Sequence, residues 1–103
     1  MADATNPLID DRDAAFLLYD VHAVDRLCEL PAFADHGRET FDLLLDATRR
    51  LAREVLYPAY RPMDAEPPVL AGGRVRVHPC MHAIYPRLCE LGLISAARPP
   101  EVG

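Results

Sequence analysis

Lysine is absent: all 11 basic side chains of the 103-residue chain are arginine. Without a lysine after it, the Gly72-Gly73 pair is no phosphate-cradling loop, and the alternating Arg74-Val75-Arg76-Val77 that follows reads as a strand. Serine is nearly absent too. Ser95 is the single one and lies in an apolar run with no glycine elbow, which excludes a hydrolase-type serine nucleophile. No stretch approaches the roughly 18 apolar residues of a membrane span; the densest is Ala14 to Tyr19. A charged segment leading into an apolar signal core is missing as well. With an odd number of cysteines, Cys28, Cys80 and Cys89, this points to a reduced, cytoplasmic setting. Positive charge is short: 11 arginines face 16 acids, and a net charge of -5 argues against a nucleic-acid partner or an anionic membrane.

Half of the residues are hydrophobic and 26% are charged, as in ordinary globular chains. The length suits one small domain or part of a larger one. Acidity is concentrated at the front, with 11 acids and 5 arginines up to Arg50 and 5 acids and 6 arginines from Leu51 on. A solvated acidic helix surface accounts for it.

Met1 to Pro7 is small, polar and aperiodic, a loose tail ahead of a helical domain running from residue 8 to 103. Asp10, Asp11 and Asp13 precede Phe16-Leu17-Leu18-Tyr19, where carboxylates favour a helix start, so a first helix is expected from Arg12 to about Val21. A second short helical turn follows, bounded by Pro31. From Arg38 to Leu56 apolar side chains recur every three or four residues as one stripe, Phe41, Leu44, Leu45, Leu51 and Val55 among them. Gly37 caps this helix, Pro58 ends it, and Arg49, Arg50 and Arg53 near its end face water. Tyr57 to Pro68 then reads as a proline-rich connector, and Val69 to Val77 as a hairpin turning at Gly72-Gly73. His78-Pro79 opens a last helix with Met81, Ile84, Tyr85, Leu88 and Leu91 on one face. Gly92 is its carboxyl cap, and Pro86 should kink or divide it. The expected architecture is mainly α: three to four helices and one short β-hairpin.

Chemistry-bearing residues are sparse. His78, Cys80 and His82 form the one compact group of potential metal ligands. At helical spacing His78 and His82 share a face while Cys80 points elsewhere, and no fourth ligand is near, so packed cysteines and surface histidines are the simpler reading. Cys28 and Cys89 read as small apolar fillers, and His22 and His36 as capping or surface residues. No catalytic, cofactor-binding or metal residue is assigned.

The ordered pieces do resemble a known family. Asn6 to Asp13 with Phe16 to Val21 looks like the opening helix of the bacterial acyl-CoA dehydrogenases that carry an extra amino-terminal segment, and Leu30-Pro31-Ala32-Phe33-Ala34 like the turn after it. Glu39-Thr40-Phe41 through Glu54-Val55-Leu56-Tyr57-Pro58 resembles the family's long helix with its closing E-V-L-x-P string. Gly73 to Val77 resembles its short hairpin, Tyr85 to Gly92-Leu93 the helix before a G-L turn, and Pro99-Pro100-Glu101-Val102-Gly103 the stretch before a Gly-Gly pair. Pro86 and the His78-Pro79-Cys80 lead-in depart from that pattern. The resemblance implies an FAD enzyme that removes hydrogens from the α and β carbons of an acyl-CoA, passes electrons to an electron-transfer flavoprotein and forms homo-oligomers. The family's catalytic carboxylate and flavin contacts lie in later domains. This chain is thus expected to be an incomplete amino-terminal domain, not catalytic by itself, whose partners are the remaining domains of the same enzyme. The alternative is a stand-alone helical interaction module or the small subunit of a split dehydrogenase.

Overall fold

The structure, a computed structural model, describes residues 8–102. The expected tail from Met1 to Pro7 lies outside the described residues. The described chain is 61% helical, with four α-helices and one two-stranded antiparallel hairpin. It divides after Arg53 into two compact units.

In the first unit, helix α1 (Asp11–Ala15) begins where the aspartates predict. Asp10 Oδ1 accepts the backbone N–H groups of Arg12 and Asp13 at 2.9 and 3.0 Å, satisfying donors that have no partner inside the helix. The chain then widens into a π-helical turn, Phe16–Val21, in which His22 N–H reaches back five residues to the Leu17 carbonyl at 3.0 Å. Ala23, at φ 47°, takes a left-handed conformation that breaks the run. Two 3₁₀ segments follow, Val24–Glu29 and Pro31–Phe33, the second led by its proline. Helix α2 (Arg38–Leu51) starts after Gly37, whose N–H donates to Thr40 Oγ1 at 3.4 Å.

In the second unit, helix α3 (Tyr57–Ala65) corrects an expectation. The sequence predicts that Pro58 ends the long helix and opens a connector, yet helical structure resumes at Tyr57. Pro58 sits in the first turn of α3, directly after the π-helical turn Ala52–Leu56, whose wider spacing accommodates a residue with no N–H to donate. Pro62 is tolerated inside α3, and the Pro62 carbonyl accepts Glu66 N–H at 3.0 Å as the helix closes.

Strands β1 (Val69–Ala71) and β2 (Arg74–Arg76) pair as expected, in the register Val69 to Arg76, Leu70 to Val75 and Ala71 to Arg74. Gly72 and Gly73, at φ 58° and 72°, supply the two left-handed residues of a tight turn whose twist matches the strands. Helix α4 (Met81–Glu90) runs unbroken through Pro86, so the proline does not divide it. Its end is a Schellman motif: Leu93 N–H reaches the Leu88 carbonyl at 3.1 Å and Gly92 N–H the Cys89 carbonyl at 2.9 Å, with Gly92 at φ 71°.

The hydrophobic core is slight. Among the described residues Tyr19, Leu51, Ala59 and Ile84 are the buried hydrophobic ones, and none is fully enclosed. The stripe predicted on α2 is therefore only partly a core: Leu51 is buried, Phe41, Leu45 and Val55 are half-buried, and Leu44 is exposed. On α4, Ile84 is buried, Met81 and Leu88 are half-buried, and Tyr85 and Leu91 are exposed. Leu43 and Leu70 are 68% and 73% exposed.

Candidate functional site

Two polar constellations stand out, one in each unit. In the first unit, the opening helical segment is held antiparallel against α2 at both ends. At one end Asp11 meets two arginines: Arg49 Nε approaches Asp11 Oδ1 at 3.2 Å, and Arg53 Nη2 lies 3.5 Å from Asp11 Oδ2. The Arg49 contact is an ion pair without hydrogen-bond alignment, and Arg53 Nε is enclosed with no acceptor. Arg49 and Arg53 thus fold inward and do not face water as expected; Arg50, paired with Asp46 at 3.5 Å, stays on the surface.

At the other end, buried Tyr19 donates its hydroxyl to Asp42 Oδ1 at 2.5 Å, and the Arg38 guanidinium lies 4.0 Å above the Tyr19 ring. Burial pushes the Tyr19 hydroxyl above its usual pKa, the Asp42 hydrogen bond and charge push it further, and Arg38 opposes them. Tyr19 is therefore a fixed proton donor at neutral pH and no base. An open groove between these ends is lined by Asp11, Tyr19, Arg38, Glu39, Asp42, Asp46 and Arg49. Ala15 and Leu43 line it as well, but its four carboxylates disfavour the diphosphate of a flavin dinucleotide, so these residues do not fit FAD.

In the second unit, the predicted trio of His78, Cys80 and His82 is rearranged. Met81, His82 and Ala83 donate to the carbonyls of His78, Pro79 and Cys80, so a tight leading turn precedes α4 and His78 lies outside the helix. Helical spacing therefore does not apply to it. The His78 ring curls back like a cap: Nδ1 accepts Cys80 N–H at 3.1 Å and lies 2.9 Å from Cys80 Sγ. On its far side, Nε2 lies 3.5 Å from Glu66 Oε2, just past the end of α3. Because Nδ1 accepts the amide proton, the neutral ring carries its hydrogen on Nε2, facing the carboxylate. The order is carboxylate, imidazole, thiol.

His82 instead lines an open groove with Arg74, Arg76 and Val77. Glu66 and Cys80 lie on opposite nitrogens of one imidazole, so no single point reaches all three. Among the described residues no group of three or more His, Cys, Asp or Glu side chains is placed to hold a metal ion. All three cysteines are free thiols; Cys28 is half-buried and Cys89 exposed. His22 is on the surface, and the His36 ring lies 6.1 Å from that of Phe41. No helix among the described residues is long and apolar enough to cross a membrane. Sequence reasoning missed Glu66 and Tyr19; a carboxylate 12 residues before a histidine carries no periodic signal. No family model, curated protein or solved structure matches the chain.

Proposed function

We propose that this chain is the amino-terminal helical segment of an FAD-dependent acyl-CoA dehydrogenase, supplying packing surface and no catalytic group. The observation that carries the reading is the ordered run of family-like strings from Asn6 to Gly103. Support comes from the apolar side chains left uncovered: Phe16 and Leu17 in the opening segment, Leu43 and Leu44 on α2, and Tyr85 on α4 are all exposed. Such a set suits faces that close against further protein. In this reading the flavin, the acyl-CoA and the carboxylate that takes the α proton belong to later domains, and electrons leave to an electron-transfer flavoprotein. The present residues shape and stabilise the helical layer to which those domains attach.

The test is purification of the tagged chain, without denaturant, from cells that encode it. A yellow preparation whose flavin is bleached by acyl-CoA, with the flavin domains on the same polypeptide or on a bound subunit, is the expected result. A colourless monomer of this chain alone, inert toward acyl-CoA, overturns the reading.

A further inference from the structure

We propose that Cys80 is a reactive thiol that undergoes exchange with small neutral disulfides, with His78 as its general base and Glu66 as a positioning residue. Three features carry this, and they come from separate parts of the second unit. Cys80 is the residue immediately before α4, where the positive end of the helix dipole favours developing negative charge on sulfur. His78 Nδ1, which accepts the Cys80 N–H, also lies 2.9 Å from Sγ, within reach of the thiol proton. Glu66, arriving from α3, lies against Nε2 and stabilises the ring as it becomes positive. The His78 side chain is only 18% exposed, so this coupling is partly sheltered from water, while Glu66 at 74% exposure acts through a screened charge. His82 on α4 and Arg76 on β2 line the hairpin groove. Cys28 and Cys89 lack this arrangement and serve as internal references.

The exchange balances without a cofactor. As the Cys80 sulfur attacks one sulfur of the disulfide, the thiol proton moves to His78 Nδ1 and a new S–S bond forms. The old S–S bond breaks, its electron pair leaves with the second sulfur, and that thiolate takes the proton from His78. Cys80 ends as a mixed disulfide, oxidised, and the departing half ends as a thiol, reduced. A second thiol reverses the step. The site is thus a reversible modification centre, independent of whether the chain belongs to a flavoenzyme.

The test treats the protein with 2-hydroxyethyl disulfide at neutral pH and follows adducts at each cysteine by peptide mass spectrometry. Cys80 should react about tenfold faster than exposed Cys89, a modest share of the roughly hundredfold or more that a general base contributes in a finished active site. His78→Gln, which keeps an acceptor for the Cys80 amide but supplies no base, should bring Cys80 down to the Cys89 rate. In His78→Ala, added imidazole should restore part of the loss, which a merely structural role would not allow. Glu66→Gln should lower the rate by a smaller factor that disappears in about 1 M salt, where screening acts within about 3 Å. Equal rates at Cys80 and Cys89 in the unaltered protein, or an unchanged Cys80 rate in His78→Gln, overturn the proposal.

Discussion

Replacing Asp11 with asparagine removes one charge and almost no volume, and it should loosen the opening segment from α2. Asp11 faces Arg49 at 3.2 Å and Arg53 at 3.5 Å, with the three side chains 44%, 23% and 32% exposed. A fully exposed ion pair contributes about 0–1 kcal/mol. Two arginines sharing one carboxylate, both more than half covered, belong at the top of that range. Asp11 also sits in the first turn of α1, where its charge opposes the helix dipole for about 0.5 kcal/mol more. The total, about 1.5 kcal/mol, corresponds to a fall of about 6–12 °C in midpoint at ~4–8 °C per kcal/mol for a chain of this size. Thermal unfolding followed by far-ultraviolet circular dichroism measures it. Two controls separate charge from shape: the loss should shrink in about 1 M salt, and the pair Asp11→Asn with Arg49→Gln should cost less than the sum of the single changes. A variant within about 0.5 kcal/mol of the parent, the scatter of ordinary surface substitutions, refutes the claim that Asp11 is a structural hub.

Tyr19→Phe keeps the buried ring and the Arg38 stacking but deletes the hydroxyl held by Asp42, and chemical denaturation should show a loss of about 1 kcal/mol. Because burial and Asp42 raise the Tyr19 pKa in the folded chain, its contribution is complete below the unfolded value of about 10 and declines as pH rises through the folded value. Denaturation above about pH 10 should therefore narrow the gap between parent and Tyr19→Phe, and a gap constant with pH counts against the shift. Gly92→Ala meets no atom within 4 Å but forces an L side chain to φ 71°, so it should cost about 1 kcal/mol through the backbone alone, read as a lower unfolding midpoint. The chain purified by itself should bind a dye specific for apolar surface, since Leu43, Leu44 and Tyr85 are exposed; no dye binding by a folded monomer contradicts that surface.

What the sequence discloses here is mostly local. Gly72-Gly73 names its turn because only glycine adopts two successive positive φ angles cheaply, and Gly92 names its cap for the same reason. The aspartates before α1 and the stripe on α2 are equally direct, since capping and periodicity act within a few residues. Pro58 misleads because the rule against helical proline holds for interiors, and the wide turn before it makes it a first-turn residue. The inward turn of Arg49 and Arg53 depends on where Asp11 lies in space, which no window of sequence contains. His78 and Cys80 are two apart, a spacing that a helix would separate; the tight turn before α4 brings them together.

The widened turn at Phe16–Val21 has an angular consequence. An α-helix advances about 100° per residue, so over the eight positions from Asp11 to Tyr19 it would leave those side chains about 80° apart. A turn closed five residues back advances less at each step, which narrows that angle and lets Asp11 and Tyr19 address the same neighbour. The segment thus behaves like a vernier, in which one surplus residue brings two distant contacts into phase. Deleting a residue there would leave a better helix that grips α2 at one end only.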